Sequence, residues 1–452
     1  MHQKKINIYI PIEIKKRELL SKIILSKFII KNNKKKIRCY IGSKTQIKKI
    51  ISLKKNYGGI YLYNGGLPYN QLEKIKKKIE KFIVLDEEIG PASTDSLERT
   101  ITSRLWVGTE KYIDKYYVIG KYASDIVAKV WPKLSSKILV TGWPRVDLWR
   151  PEFSFIYNNS VESLRKQYGN FILFSSDFSL NSIKRINYEL NYWKDSEWKT
   201  LSKNLDIDAR GKKNFFEFQE FIKLISELDE NIDIPQIIIR PHPSEDLLEW
   251  KKLGKSLKRI KIIFKGELTS WVYASSGVLH RGCTSAVEAH MAGIKTGYIV
   301  TNKEWIRKSL PYQVSEHLYN SNQIIEFCKS NISKKPLPPK EYIEAFKNTI
   351  RVEKIFACEI IAEDMIKFDL TSELPFNCNT IYNISDTLKV IFIKIKSFII
   401  KLIKKLKDGV LLPDKIPGGI TKKEITNIMD NFEIDHKLKI RQILIDCVEI
   451  EE

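Results

Sequence analysis

The sequence predicts an α/β protein with two doubly wound parallel sheets and a helical C-terminal region. Short β-branched runs alternate with amphipathic stretches over roughly the first three hundred residues, as in buried parallel strands joined by helices. The alternation stops once, at 151–160, where no periodic run occurs and a linker is expected, and it becomes unclear after Thr301. We therefore predict a first domain over 1–150, a second over 151–305, and a helical region over 306–452.

The first half of the chain contains six predicted strands separated by helical patterns. Helices are expected near 15–30, 44–54, 71–80 and 124–131. Strands joined in this way run parallel, and ligands of such sheets bind at the carboxyl ends of the strands. The polar turns at those ends are therefore the candidate site. The strands are Ile6 to Ile10, Arg38 to Ile41, Ile60 to Tyr63, Phe82 to Leu85, Tyr116 to Ile119 and Lys137 to Thr141.

Three consecutive carboxylates, Asp86, Glu87 and Glu88, follow the predicted strand that ends at Leu85. Like charges this close repel one another, which predicts a raised pKa for at least one of them. A carboxyl group with a raised pKa suits general acid or base catalysis. A solvated acidic turn is the alternative, but the position at the carboxyl edge of the sheet favours a functional role.

The second half repeats the alternation. Asp177 lies in a turn after the first of its strands and is predicted to face the acidic turn of the first domain across a cleft. Residues 187–213 are polar, with two interspersed tryptophans, and are predicted to be a surface insertion. The strands are Phe171 to Phe174, Ile237 to Ile239, Ile260 to Phe264, Gly277 to Leu279 and Thr296 to Val300; the helices lie near 161–168, 214–228, 248–257 and 285–292.

Two polar turns of the second half give the strongest signal. Pro241 and Pro243 fix the backbone on either side of His242, which places this imidazole at a strand tip. The segment from Gly282 to Ser285 leads into a helix whose first amides are unpaired and suited to phosphate. Each turn alone has a structural alternative, since Ser285-Ala286-Val287-Glu288 matches a capping box. Together they provide what a nucleotide-sugar site requires.

Composition restricts the partners. The net charge is +23, but the lysines are spread along the chain and no basic arm with interleaved aromatics occurs. An anionic sugar or membrane surface is therefore favoured over nucleic acid as a partner.

The six cysteines lie far apart, which indicates neither a zinc site nor disulfide bonds. No Asp-x-Asp dyad sits at a strand end, so no metal is expected. The lack of a signal peptide or apolar span predicts a cytoplasmic protein.

A basic amphipathic helix is predicted near 388–407, where leucine and isoleucine recur at helical spacing among lysines. Such a helix can lie on the anionic inner face of the cytoplasmic membrane. An ordinary helix packed on a domain fits the same pattern. The sequence leaves these two interpretations open.

Four segments carry a family resemblance: Asp86-Glu87-Glu88-Ile89-Gly90, Gly142-Trp143-Pro144-Arg145-Val146-Asp147, Arg240-Pro241-His242-Pro243-Ser244-Glu245, and His280-Arg281-Gly282-Cys283-Thr284-Ser285-Ala286-Val287-Glu288-Ala289. They resemble the bacterial surface carbohydrate biosynthesis protein family. More distantly, they resemble capsule and lipopolysaccharide glycosyltransferases that use CMP-activated ulosonic acids such as Kdo.

The resemblance implies a GT-B architecture, with two Rossmann-type domains facing across a cleft and the donor nucleotide held mainly by the second. It implies that His242 contacts the nucleotide and its phosphate, that Thr284 and Ser285 hold phosphate, and that Glu288 binds ribose. Glu88 would be the acidic residue of the first domain, and its carboxylate would deprotonate the acceptor hydroxyl. Asp177 is the candidate nucleophile if the reaction retains configuration. Arg240 and the backbone from Gly282 onward would complete the donor site.

The expected function is therefore transfer of a sugar, possibly Kdo or another ulosonic acid, from a CMP-linked donor to a bacterial surface polysaccharide or lipopolysaccharide. No cofactor is expected beyond the nucleotide-sugar donor, and the other partner would be a glycan or lipid-linked glycan acceptor. A sugar-nucleotide epimerase of the same fold is one alternative. A non-catalytic, membrane-associated assembly factor of a glycan pathway is the other.

Overall fold

Two sheets, both mainly parallel, form the framework of the protein in a computed structural model. The structure describes residues 5–32, 36–52, 58–90, 97–194, 207–306, 308–330, 340–368, 370, 415–431, 438–444 and 446–451. One sheet has eight strands and belongs largely to the first half of the chain, and the other has six strands and belongs to the second half. The predicted fold class of two doubly wound domains is confirmed.

The first sheet contains the strands β1 Ile6–Ile12, β2 Ile37–Ser43, β3 Ile60–Tyr63, β4 Lys81–Leu85, β5 Lys115–Val118, β6 Ile138–Val140, β13 Lys439–Leu444 and β14 Cys447–Glu451. They lie in the order β13-β14-β2-β1-β3-β4-β5-β6. Every residue of the central strand β1 is buried, because helices cover both faces of a parallel sheet and require apolar residues on both.

Strands β13 and β14 form an antiparallel hairpin that extends this sheet beyond β2, with Val448 opposite Ile41. The expectation of a purely helical C-terminal region is therefore wrong for these residues. Buried Arg38 of β2 holds the hairpin in place, because its guanidinium lies 3.2 Å from the Glu449 carboxylate and 3.0 Å from that of Glu451. This contact joins residues some four hundred positions apart, so no local pattern could reveal it.

The helices of the first half connect successive strands and are α1 Lys15–Lys31, α2 Lys44–Ile51, α3 Tyr69–Lys76, α4 Leu97–Thr102, α5 Lys121–Val130 and α6 Pro144–Asp147. Helix α1 begins shortly after β1, and the Glu18 carboxylate holds the turn between them by accepting hydrogen bonds from the backbone N–H groups of Glu13 (2.8 Å) and Ile14 (3.2 Å). This turn places the start of α1, with Lys16 and Arg17, at the carboxyl edge of the sheet.

The second sheet contains the strands β7 Phe171–Ser175, β8 Gln236–Arg240, β9 Lys261–Ile262, β10 Gly277–His280, β11 Thr296–Ile299 and β12 Glu316–Leu318. It is parallel throughout, in the order β12-β11-β10-β7-β8-β9. Its helices are α7 Asn158–Tyr168, α8 Ile183–Lys194, α9 Ile207–Glu230, α10 Leu247–Ser256, α11 Leu268–Ala274, α12 Ser285–Met291, α13 Leu310–Gln313 and α14 Ser321–Lys329.

Two expectations for this half need correction. The linker predicted at 151–160 is a 3-10 helix, Pro151–Tyr157, that runs directly into α7. The described parts of the predicted polar insertion at 187–213 are helical, since α8 extends to Lys194 and α9 begins at Ile207. Residues 195–206, which include Trp198, lie outside the described residues.

The remaining helices, α15 Lys340–Thr349, α16 Ala357–Ile366 and α17 Lys422–Asn431, return to the first half of the chain. Helix α16 packs against α1 and buries Ile361 and Met365 in the core of the first sheet. The Thr421 hydroxyl caps α17 by accepting from the Glu424 N–H at 3.3 Å, as its capping-box sequence predicts. The basic helix predicted near 388–407 lies outside the described residues. No described helix combines the length and hydrophobicity that a bilayer span requires.

Candidate functional site

A cavity of about 310 Å³ opens between the carboxyl edges of the two sheets. The first half of the chain contributes the start of α1, the acidic turn after β4, and α6 with the residues that follow it. The second half contributes the turns after β7, β8 and β10, together with loop 264–269. Charged side chains of both signs line it: Lys16, Arg17, Arg145 and Arg240, with Glu87, Glu88, Glu267 and Glu288.

The structure brings six of the eight predicted site residues to this cavity: Glu88, Arg240, His242, Thr284, Ser285 and Glu288. Asp177 and Gly282 are not among the residues that line it. Asp177 forms an ion pair with Arg281 at 3.2 Å, and Arg281 also contacts buried Glu217. Gly282 has a φ of 131°, a conformation that favours glycine, and a Cβ there would lie 3.5 Å from the Asp177 carboxylate. Asp177 therefore lies beside the turn after β10 and outside the set of residues that line the cavity.

The His242 imidazole is held in one tautomer. Its Nδ1 accepts a hydrogen bond from the Ser244 backbone N–H at 3.2 Å and lies 2.7 Å from the Ser244 hydroxyl. A backbone N–H can only donate, so the ring proton resides on Nε2. Burial, reinforced by the Arg17 guanidinium, lowers the pKa of His242 below its usual value. The neutral ring therefore has an Nε2–H donor available for a ligand.

Glu245 is a site-positioning residue that the sequence analysis did not single out. Its fully buried carboxylate accepts hydrogen bonds from the Ser176 hydroxyl (2.7 Å), the Phe178 N–H (2.6 Å) and the Trp250 indole (2.7 Å). The His242 backbone N–H donates to both Ser176 Oγ, at 2.9 Å, and Glu245, at 3.2 Å. Glu245 thus joins the ends of β7 and β8 and fixes the His242 turn. The only sequence signal was its place in the quoted Arg240-to-Glu245 motif.

Arg240 is built into the wall of the cavity. Its guanidinium donates to the backbone carbonyls of Lys265 and Gly266, the latter at 2.9 Å, and lies over the Trp271 ring at 4.9 Å. Burial lowers the pKa of Arg240 to about 10, although the nearby Glu267 carboxylate opposes this. Arg240 therefore fixes loop 264–269 in addition to providing positive charge.

The start of α12 differs from the predicted capping box. Thr284 is the N-cap residue, without a side-chain cap, and Ser285 is the first helical residue. The buried Ser285 Oγ and Glu288 Oε1 have no hydrogen-bond partner among the described residues. Burial raises the pKa of Glu288 to about 7, with Glu267 adding to the effect and Thr269 and Arg145 opposing it. The Ser285 Oγ and Glu288 Oε1 atoms are thus available to bind a ligand. In an ordinary capping box, both atoms would have hydrogen bonds to the backbone of the helix.

The three carboxylates of the acidic turn after β4 are each paired with a cation, so they do not repel one another as the sequence suggests. Asp86 accepts two hydrogen bonds from Arg104, at 2.8 and 2.9 Å, and the Glu87 carboxylate lies 2.8 Å from Lys22 Nζ. Glu88 pairs with Arg17. Burial alone would raise the pKa of Glu88, but Arg17, Arg104 and Arg145 outweigh it and hold the pKa below its ordinary value. The predicted raised pKa is therefore wrong for Glu88, because each carboxylate has its own cation.

Arg17 and Arg145 are cavity residues that the sequence analysis missed. Arg17 follows β1 in the first turn of α1, and Arg145 lies on α6 after β6, inside one of the quoted motifs. Both Nε atoms are buried without a partner among the described residues. Their positions after strand ends could have indicated them. The residues that the structure describes contain no cluster of three or more His, Cys, Asp or Glu placed to hold a metal ion.

Comparisons with known proteins find likeness in structure alone. No protein-family profile and no curated protein sequence matches the chain. A variant of the wall teichoic acid polymerase TagF, soaked with CDPG, is 11% identical, with a TM-score of 0.48 over 80% of this chain and 87% of its own. Methanocaldococcus jannaschii UDP-GlcNAc 2-epimerase is 14% identical, with a TM-score of 0.48 over 80% and 99%. S. aureus MnaA with UDP is 13% identical, with a TM-score of 0.47 over 79% and 95%. Likeness at this level identifies neither a substrate nor a reaction.

Proposed function

We propose that the protein is a glycosyltransferase that moves a sugar from a nucleotide sugar to an acceptor hydroxyl. The donor we propose is a CMP-linked ulosonic acid such as Kdo, and the acceptor is a bacterial surface polysaccharide or lipopolysaccharide. One observation carries the proposal. A single cavity at the carboxyl edges of the two sheets contains the His242 Nε2–H donor, a Ser285 hydroxyl with no partner among the residues described, and basic side chains from both halves of the chain.

The second-domain wall would bind the nucleotide. His242 Nε2–H and Ser285 Oγ–H would donate to phosphate oxygens, with Thr284 beside them and Arg240 adding positive charge. Glu288 Oε1 has no partner among the described residues and would accept from a ribose hydroxyl. Donors fixed in place before the reaction stabilise the negative charge that develops on a departing phosphate, which is the main electrostatic demand of glycosyl transfer.

In the chemical step, the acceptor oxygen bonds to the anomeric carbon while the bond from that carbon to the phosphate oxygen breaks. The electron pair leaves with the nucleotide, and we assign the acceptor proton to Glu88. Glu88 must first separate from Arg17, since that ion pair makes it a weak base. Direct attack inverts configuration. A covalent intermediate on Asp177 would retain configuration, and it would require this carboxylate to leave Arg281.

A sugar-nucleotide epimerase is the second candidate. It is favoured by the three carboxyl groups of Glu88, Glu267 and Glu288 around one cavity, since epimerisation needs an acid and a base on the same substrate. Burial raises the pKa of Glu267 and Glu288 while arginines lower that of Glu88, so the cavity offers carboxyl groups suited to both roles. Incubation with a UDP-sugar alone separates the candidates, because only epimerisation proceeds without an acceptor.

The decisive experiment is nucleotide binding by the whole protein, measured by calorimetry and thermal stabilisation with CMP, CDP, UDP and GDP. We expect CMP to bind, and His242→Ala to weaken binding about 10-fold through loss of a hydrogen bond to a charged group. His317→Ala is the matched control, because this half-buried imidazole contacts the Tyr312 carbonyl and does not line the cavity. Absence of binding by every nucleotide would refute both enzymatic proposals and favour a non-catalytic assembly factor.

A further inference from the structure

Arg145 differs in its pairing from the other cations around the first-domain wall of the cavity. Lys22 pairs with Glu87, Arg17 with Glu88, and Arg104 with Asp86. Among the described residues, no carboxylate lies within ion-pair distance of Arg145. Its one described hydrogen bond runs from Nη2 to the backbone carbonyl of Glu87, at a long 3.4 Å.

The Arg145 guanidinium is nevertheless held in a defined orientation. It lies 5.1 Å from the centroid of the Trp143 ring and 5.5 Å from that of Trp149. The residue is only 9% exposed, and its Nε has no hydrogen-bond partner among the described residues. Burying a guanidinium whose Nε has no partner in the described part of the chain is costly. The two indoles beside it restrict its movement and so prepare it for a planar or tetrahedral anion that accepts two hydrogen bonds at once.

Arg17 provides a second cation for the same anion. Its Nε is also buried without a partner in the part of the chain that the structure describes, and Arg17 lines the same cavity. Burial and then the Arg17 guanidinium lower the pKa of Arg145, while the carboxylates of Glu87, Glu88 and Glu288 oppose this. Two mutually repelling cations facing one cavity are stabilised together when a negative group binds between them.

We propose that Arg145, assisted by Arg17, forms an anion subsite on the first-domain wall that is distinct from the nucleotide phosphate position at His242 and Ser285. The inference rests on the proposed function, and it adds which residues would hold a carboxylate or phosphate that lies outside the nucleotide moiety of the substrate. This anion belongs either to the transferred sugar, as in a sugar acid, or to the acceptor, as in a phosphorylated or acidic glycan.

The test compares wild type with Arg145→Gln by calorimetry. The donor arm uses two probe pairs. UDP-glucose and UDP-glucuronic acid differ only in the sugar carboxylate, whereas CMP and CMP-N-acetylneuraminic acid differ by the whole acidic sugar. The acceptor arm titrates inorganic phosphate into CMP-saturated protein. Arg150→Gln is the matched control, because Arg150 is also 9% exposed but pairs with Glu152 and does not line the cavity.

In one of the two arms, we expect wild type and Arg150→Gln to bind the anionic probe about 10-fold more tightly than they would without its charge-assisted hydrogen bonds to Arg145. In the donor arm, this gain is measured against the other member of each probe pair. Arg145→Gln should lose that gain and keep its affinity for the nucleotide alone within about twofold. Arg145→Lys keeps the charge without the bidentate geometry and should retain part of the gain, which covers the case in which the glutamine variant does not fold.

The subsite is refuted if wild type binds nucleotides and no anionic probe depends on Arg145. It is also refuted if Arg145→Gln weakens the bare nucleotide as much as the anionic probes, since Arg145 would then belong to the nucleotide phosphate position. Failure of the proposed function gives a different result, because no nucleotide then binds to the wild type. Titration of inorganic phosphate into the nucleotide-free protein still shows whether Arg145 binds an anion.

Discussion

Glu288 gives a prediction about stability that tests the electrostatics of the cavity directly. Its carboxyl group is 5% exposed, and burial together with Glu267 raises its pKa from 4.5 to about 7. Between these values the folded chain keeps the proton while the unfolded chain releases it. The free energy of unfolding therefore falls as the pH rises through this window, and the loss is complete above about pH 7.

The size of the effect follows from the two pKa values. The gap between 4.5 and about 7 corresponds to about 3 kcal/mol. Glu288→Gln removes the titrating group and retains its shape. We expect the wild type to lose about 3 kcal/mol more than this variant between about pH 4.5 and about pH 8.5, which would make the variant the more stable protein at the alkaline end.

Urea unfolding of both proteins across this range measures the difference. The other buried acids with raised pKa values, such as Asp147 and Glu267, are common to both proteins and cancel to first order. Glu162→Gln, an exposed glutamate on α7, is the control and should follow the wild type. Parallel pH profiles for wild type and Glu288→Gln would show that Glu288 is ionised in the folded protein and would refute the reasoning.

Three further substitutions test the supports of the site. Lys22→Met leaves the Glu87 carboxylate buried without its cation and should destabilise the protein by about 3–5 kcal/mol in urea unfolding; Lys22→Arg, which keeps the charge, should cost less. Glu245→Gln cannot accept all the hydrogen bonds that converge on this carboxylate, so a loss of about 1–3 kcal/mol should accompany weaker CMP binding in calorimetry; unchanged CMP affinity would contradict its positioning role. Gly59→Ala forces a φ of 78° on alanine and puts a Cβ 2.1 Å from the Asn7 carbonyl oxygen. Thermal unfolding should show a loss of about 2 kcal/mol or more. Gly169→Ala has a φ of 66° but open space around its Cβ, so it measures the backbone strain without the steric clash.

The sheets could be predicted from the sequence because their signals are local. Runs such as Ile237 to Ile239 are apolar on both faces and end in proline-containing turns, and the strands lie where this pattern places them. The grouping of His242, Ser285 and Glu288 at one cavity follows from the rule that parallel strands align their carboxyl ends. These parts of the site needed no knowledge of distant contacts.

The protonation states could not be predicted in this way, because they depend on partners far away in the sequence. The acidic turn suggests mutual repulsion until Lys22, Arg17 and Arg104 are known to reach it from other elements. The capping-box pattern at Ser285 was misleading for a related reason. Helix α12 begins one residue earlier than that pattern requires, and Ser285 Oγ remains without a partner among the described residues.

The same ion pairs connect the proposed anion subsite to catalysis. Glu88 is a weak base while it is paired with Arg17, and Arg17 also lines the wall that includes Arg145. An anion bound between the guanidiniums of Arg17 and Arg145 would compete with Glu88 for Arg17. As Arg17 moves away, Glu88 loses the positive charge that contributes most to lowering its pKa. We therefore expect the acidic substrate group itself to restore the basicity of Glu88, so that a substrate lacking this group would react slowly even when it binds.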